Sequence, residues 1–418
     1  MIFMVNPEEA CGAMLHARSG EIVINYGYHR AVITTLAVAN YRSLRNIVVP
    51  LGALNLVSGE NGSGKSSLYR ALRLLADTAQ GGVVASIARE GGLSSTLWAG
   101  PERISRAMRK GEQPVQGGPR REPVHLRLGF ASDELSYCID LGLPTPHQSA
   151  FALDPEIKRE CIWAGVKFRP ASLLVDRRGS VVSVRKEDGE WSVASSHVPT
   201  FDSMLTRIAD PQRAPEVLTI RETIRAWRFY DHFRVDAEAP IRSPQLGTRT
   251  PTLANDGRDL GPALQTIREI GNGEALDRTI EDAFPGSVLE IQHGDGRFSI
   301  GLKQPGMLRA LTAAELSDGT LRFLLWSAAL LTPRPPPLMV LNEPETSLHP
   351  DLLPALARLI LEASKNSQLW IVSHSARLIA ALEESGSCNS LKLAKDLGET
   401  QIVGQELMER PSWQWPAR

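Results

Sequence analysis

Nine consecutive residues, Gly59-Glu60-Asn61-Gly62-Ser63-Gly64-Lys65-Ser66-Ser67, have the make-up of an anion cradle. Glycines at 59, 62 and 64 let the backbone curl until successive N–H groups point at one centre, and a lysine and two hydroxyls close the run. The pattern G-x-x-x-x-G-K-[ST] is met at every required position, and its chemistry is the binding of nucleotide phosphates. Lys65 is expected to reach the β- and γ-phosphates, and the Ser66 hydroxyl to sit on Mg²⁺. Asn61, Gly62, Ser63, Gly64 and Ser67 complete the expected nucleotide-binding set. The flanks can hold this loop. A short apolar strand, Leu54 to Val57, precedes it; a helix from Lys65 to Ala79, apolar at Leu68, Leu72, Leu75 and Ala76, follows and adds its positive end. A glycine-rich turn without a ligand is the alternative, and the match on both sides argues against it.

A second chemical group lies far downstream. Pro335-Pro336-Pro337 stops a helix, and Leu338-Met339-Val340-Leu341 then runs as a short apolar strand into Asn342-Glu343-Pro344-Glu345. A buried strand of a parallel sheet that ends in acidic groups delivers a carboxylate beside a nucleotide, the Walker B arrangement. Thr346-Ser347-Leu348-His349-Pro350 and a helix from Asp351 to Ala363 follow; a strand from Gln368 to Val372 then ends at Ser373-His374-Ser375. A histidine at a strand tip reads either as purely structural or as a γ-phosphate contact, and its place one helix crossover after the acidic strand favours the contact for His374. Glu315-Leu316-Ser317-Asp318-Gly319-Thr320 opens a helix through Leu330, and reads either as a plain N-cap or as a second anion-binding helix start.

The bulk numbers narrow the field. A length of 418 residues allows two or three domains, and 42% apolar with 22% charged residues is ordinary globular composition. The net charge of −1 leaves no global field toward nucleic acid or anionic lipid. Cys11, Cys138, Cys161 and Cys388 stand far apart, which suggests neither a zinc site nor a disulfide framework. The longest apolar stretch, Leu321 to Leu331, contains Arg322 and is too short to span a bilayer. With no signal-peptide layout at the start, a cytoplasmic protein without membrane partner is expected.

Along the chain, residues 1–30 read as a frayed extension, 31–98 as a first lobe carrying the phosphate loop, 99–250 as an insert and 251–418 as a second lobe. Strands are expected over Val32–Val38, Ile47–Val49 and much of 123–197, and helix over 200–235. The loop 101–121 is rich in arginine, and Trp227, Phe229, Tyr230 and Phe233 lie among Arg225, Arg228 and Arg234. A surface loop and a packed aromatic core are preferred to nucleic-acid contacts at these two places.

Phosphate loop, L-S-D-G-T before a helix, strand ending in N-E-P-E, T-S-L-H-P and I-V-S-H, in this order, resemble the ATP-binding-cassette ATPases. Within them the chain is similar to the RecF-like and structural-maintenance-of-chromosomes branch, and to compact ATPases near the overcoming-lysogenization-defect family. Asn40-Tyr41-Arg42-Ser43-Leu44 and the tail from Leu391 to Gln405, with Trp413-Gln414-Trp415-Pro416, share that likeness. The motifs cover about residues 31–80 and 310–380. The resemblance implies an α/β ATPase head: a P-loop core sheet, an antiparallel β subdomain and a helical insert. It also implies a homodimer with ATP at the interface, in which the phosphate loop, Glu343 and His374 of one copy face Ser317, Asp318, Gly319 and Thr320 of the other. Glu343 is then the general base, with Glu345 in support. Two departures stand out: Asn342 occupies the place of the family's aspartate and would serve Mg²⁺ only through water, and the family's γ-phosphate-reporting glutamine, counted with Ser66 at the metal site, is assigned to Gln80.

Three functions fit: an ATP-dependent switch acting with DNA in repair or phage defence, the energising subunit of a transporter, or a non-catalytic ATP-gated scaffold. The strand-rich chain between Lys65 and Ser317 disfavours a transporter head, and Asn342 keeps the scaffold open. No acidic cluster with nuclease spacing follows His374, so any nuclease or effector is expected on a separate protein.

Overall fold

The computed structural model describes residues 32–102, 104–116, 123–144, 150–151, 154–405 and 410–418. The N-terminal extension expected over 1–30, and Arg103, Arg120 and Arg121 of the basic loop, lie outside them. In chain order the strands are β1 (Ile33–Tyr41), β2 (Leu44–Pro50), β3 (Leu54–Gly59), β4 (His125–Ser132), β5 (Leu135–Gly142) and β6 (Glu156–Ala164). They continue with β7 (Leu173–Arg178), β8 (Val181–Arg185), β9 (Trp191–Ser195), β10 (Arg228–Tyr230), β11 (Gln245–Leu246) and β12 (Val288–Gly294). The last are β13 (Arg297–Lys303), β14 (Leu311–Thr312), β15 (Leu338–Asn342), β16 (Gln368–Val372), β17 (Cys388–Asp396) and β18 (Glu399–Ile402).

The core sheet runs β10-β15-β16-β3-β17-β18, parallel except at the last pair. Its central strands read as nearly unbroken apolar runs because both faces are covered. Val57, Val340, Trp370 and Val372 point to one side, where the helix Lys65–Thr78 and a second sheet close a core. Leu56, Met339, Leu341, Leu369 and Ile371 point to the other, where they meet the helices Leu260–Ile270, Asp318–Leu330 and Leu353–Ala363. The second sheet is antiparallel, in the order β2-β1-β4-β5-β6-β7-β8-β9, and a small third sheet joins β11, β13, β12 and β14. The expected α/β architecture is therefore present, with parallel core and antiparallel layer. Because β1 pairs with β4, the strands of 31–98 and of 99–250 share one sheet.

One expectation fails in the middle. Residues 200–235 contain the helices Met204–Arg207 and Pro215–Arg225, but Arg228–Tyr230 is an edge strand of the core sheet. The aromatic residues there are buried: Trp227, Phe229, Tyr230 and Phe233 each expose 5% or less, so no stacking platform for bases is offered. The basic loop is likewise engaged at Arg109, which pairs with Asp396 and Glu399.

A polar network braces the antiparallel layer from inside. Glu160 and Arg177 form an ion pair with no exposed side-chain surface. Tyr137 and Ser203 donate to Glu160 Oε1, at 2.6 and 2.5 Å, and the Met204 N–H donates to Oε2 at 2.8 Å. Arg177 in turn donates to the carbonyls of Gly179 and Pro199. Removing one partner strands a buried charge. Glu160→Ala is expected to cost about 3–5 kcal/mol, read as a lowered midpoint in urea unfolding; a shift of less than about 1 kcal/mol would contradict this.

Candidate functional site

The phosphate loop follows β3 and opens the helix Lys65–Thr78. Gly59, Gly62 and Gly64 have φ of 142°, 79° and 108°, values side chains rarely tolerate. Space forbids side chains as well: a Cβ on Gly64 would stand 2.0 Å from Thr400 Oγ1, and one on Gly59 2.3 Å from the Leu393 carbonyl oxygen. The helix has neither a side-chain cap nor an acidic residue in its first turn, so its first N–H groups stay available to an anion. Lys65 is buried and donates to the carbonyls of Gly59 and Glu60 at 2.6 and 2.8 Å. Burial holds its pKa below the usual lysine value, opposed by the nearby Glu343 carboxylate. Ser63 Oγ is buried without a partner, whereas Ser66 and Asn61 are exposed.

Thr400 braces this loop from the C-terminal hairpin. Its Oγ1 lies 2.9 Å from the Ser63 carbonyl oxygen and 2.8 Å from Ser43 Oγ, tying the β1–β2 turn, the phosphate loop and β18 together. Nothing in the local sequence marks Thr400.

Adjacent strands deliver the acidic and histidine groups. β15 and β16 are parallel and in register from Leu338↔Gln368 to Asn342↔Val372, so the residues after them emerge side by side. Glu343 has φ +49° and is held by a hydrogen bond from its N–H to the Val372 carbonyl at 2.8 Å. Its Oε1 lies 3.4 Å from His374 Nε2. Glu345 joins the two loops: its Oε1 accepts from Ser373 Oγ and the His374 N–H at 2.7 Å, and from the Ser375 N–H at 3.0 Å. Its Oε2 is buried without a partner.

The Ser317–Thr320 turn caps the helix Asp318–Leu330 with its own Ser317 hydroxyl, which accepts from the Thr320 N–H. Arg242 pins the turn from behind by donating to the carbonyls of Ala313, Ala314 and Leu316 and pairing with Asp318. In the same helix Trp326 donates to the Pro344 carbonyl at 3.0 Å, and a Cβ on Gly319 would meet the Ser347 carbonyl oxygen at 3.1 Å. The turn thus packs behind the acidic loop of its own chain. Among the described residues, no hydrogen bond or ion pair links it to Gly59–Ser67. Arg242 sits in a Pro- and Thr-rich connection whose sequence gives no sign of this role.

The structure thus brings Lys65, Glu343 and His374 to one edge. Gln80 does not join them. It follows the C-terminal end of the helix Lys65–Thr78, about 20 Å along the axis from Lys65 by the rise of an α-helix. The assignment of Gln80 to the metal site is therefore corrected. Beside the acidic strand stands β10 instead, whose tip carries Asp231. Its carboxylate is bonded by Tyr69 and Arg73 of the phosphate-loop helix, and burial pushes its pKa up to about 6.

The donors suit the group that such a loop would hold. An uncapped helix start, an orphaned buried hydroxyl and a buried lysine are donors that fit a phosphate chain, while the side-chain oxygens of Ser66 and Asn342 are of the kind Mg²⁺ prefers. Among the described residues no group of three or more His, Cys, Asp or Glu could hold a metal by itself, and no helix is long and apolar enough to cross a membrane.

The profile of the family described as "AAA domain, putative AbiEii toxin, Type IV TA system" matches residues 54–380. The match spans the phosphate loop, Ser317–Thr320, Asn342–Glu345 and His374. No curated protein matches the chain. Among solved structures, the chain is similar to an SmcHead bound to the C-winged helix domain of ScpA, at 14% identity over 90% of this chain and 99% of that one, with a TM-score of 0.46. It is similar to the SMC head domain from Thermotoga maritima at 16% identity, over 90% and 100% of the two chains, with a TM-score of 0.40. For the Pyrococcus furiosus Smc head domain with an extended coiled coil, bound to the C-terminal domain of ScpA, the values are 14%, 90%, 97% and 0.44.

Proposed function

The chain belongs to the AAA-domain family matched over residues 54–380, and from that premise we propose that it is an Mg²⁺-dependent ATP hydrolase working as a dimerising switch. Residues Asn61–Ser67 enclose the triphosphate, with Lys65 on its β- and γ-phosphates. Ser66, and Asn342 through water, serve Mg²⁺, which when bound neutralises phosphate charge. Glu343 orients and deprotonates the attacking water, His374 contacts the γ-phosphate, and Glu345 holds the His374 turn in place. Ser317, Asp318, Gly319 and Thr320 of a second copy close the site from the other side. In the lobe division of this reading, 31–98 and 251–418 are the two lobes of the head, and 99–250, which lies between them in the chain, adds β4–β9 to the antiparallel sheet and β10 to the core sheet.

The observation that supports it is the meeting of Lys65, Glu343 and His374 at one sheet edge, while among the described residues no hydrogen bond or ion pair joins the Ser317–Thr320 turn to the same chain's phosphate loop. One half-site offers too few donors to offset the charge that develops on the γ-phosphate, so a second copy is required. The decisive variant is Ser317→Arg in a Glu343→Gln background. Light scattering is expected to show loss of the ATP-dependent dimer, with ATP affinity per chain within threefold of the parent. A dimer that persists would refute the shared site.

We place this switch in the cytoplasm, in DNA repair or phage defence, with DNA as ligand and a separate nuclease or effector as partner. The sequence resemblance and the toxin named in the family's description support that placement. Asn342 favours the scaffold as a second reading, because an amide brings no charge to Mg²⁺. Phosphate release with Mg²⁺ and DNA present separates the two; none under any condition selects the scaffold.

A further inference from the structure

We infer that Asp231 supplies the carboxylate that Asn342 lacks on the divalent-cation side of the nucleotide site, an inference that rests on the ATP reading above. β10 runs parallel to β15 with Arg228↔Met339, Phe229↔Val340 and Tyr230↔Leu341 in register. The next step along both strands sets Asp231 beside Asn342 at the carboxyl edge, where such sheets bind ligands. Neighbouring strands lie about 4.8 Å apart, so a charge missing from one tip is restored roughly one strand-width away.

The phosphate-loop helix reaches the same point. Ser66, Tyr69 and Arg73 follow each other at spacings of three and four and share one helix face. Tyr69 and Arg73 both bind the Asp231 carboxylate, so Asp231 lies along the face that begins with the Ser66 hydroxyl. The Asp231 side chain keeps 37% of its surface exposed. Arg73 is its resident cation, but not by its only contact: the guanidinium also stacks over the Phe229 ring at 5.3 Å and donates to Tyr69 Oη at 3.0 Å. A divalent ion therefore competes with Arg73 for one carboxylate while Arg73 keeps other partners. Mg²⁺ retains several waters and needs only one or two carboxylates beside the phosphates, which suits a site with no preformed three-residue cluster among the described residues.

The test titrates Mn²⁺, a paramagnetic substitute for Mg²⁺, into the full chain saturated with ADP and follows free Mn²⁺ by electron paramagnetic resonance. ADP affinity in EDTA is measured in parallel. Asp231→Asn is expected to weaken Mn²⁺ binding at least tenfold while ADP affinity in EDTA stays within threefold. Asp231→Asn combined with Asn342→Asp is expected to recover most of the loss, because the charge returns to the adjacent strand although the Arg73 pair does not. A loss under tenfold, no recovery in the double variant, or an equal loss of ADP affinity in EDTA would overturn the inference and leave Asp231 an ion-pair partner of Arg73. Failure of the unaltered chain to bind ADP at all would instead remove the nucleotide reading.

Discussion

Lys65→Ala is expected to abolish ATP binding at micromolar protein concentrations. The lysine opens the helix that follows the phosphate loop, buried at 5% exposure and folded against the carbonyls of Gly59 and Glu60. Burial lowers its pKa, and the Glu343 carboxylate opposes that effect. Hydrogen bonds to ionised groups contribute about 1.5–3 kcal/mol each. Losing two such contacts to phosphate oxygens corresponds to roughly 10²- to 10⁴-fold in affinity. Calorimetric titration with ATP measures this directly, and circular dichroism shows whether the variant is folded. Lys65→Met, which keeps the side chain's bulk, is expected to lose binding equally; ATP affinity within threefold in either variant would remove Lys65 from the phosphate site.

Glu343→Gln is expected to separate binding from turnover. Glutamine keeps the shape of glutamate, so the hydrogen bond from residue 343 to the Val372 carbonyl and the backbone at φ +49° are retained. What is lost is the proton acceptor 3.4 Å from His374. General-base catalysis contributes on the order of 10²- to 10⁴-fold, and hydrolysis should slow by that factor. Affinity should hold or rise, since a carboxylate facing the γ-phosphate repels it. With hydrolysis stalled, the ATP-bound dimer should accumulate and be visible by light scattering. Single-turnover phosphate release at the unaltered rate would end the role assigned to Glu343.

Local chemistry is legible in the chain because it is written in neighbouring residues. The loop around Lys65 needs glycines at fixed offsets. The strands at Leu338 and Gln368 are short, wholly apolar runs between breakers, and the residue pattern locates their ends within about a residue or two. The edge strand Arg228–Tyr230 is not legible in this way. It has three residues, follows the helix Pro215–Arg225 almost at once, and is as apolar as a buried helix end, so periodicity does not tell the two apart. The strand tip beside Asn342 is hidden with it. If β10 is read as helix, nothing stands beside Asn342, and Gln80 becomes a candidate only by its distance along the chain.

Thr400 and Arg242 make the same point from the other side. Thr400 meets Ser63 from 337 residues away, and Arg242 meets Leu316 from 74. A hydroxyl or guanidinium carries no sign of such a partner until the chain has folded. The order of residues is enough to specify a triphosphate cradle, an acidic strand tip and a histidine tip on apolar strands, since backbone curl and burial are dictated within a few positions. It takes the folded chain to set Asp231, rather than Gln80, next to Asn342 and to prop the loop with Thr400. Strand order and side-by-side placement come from packing two faces of one sheet against different layers, and that is a property of the whole chain.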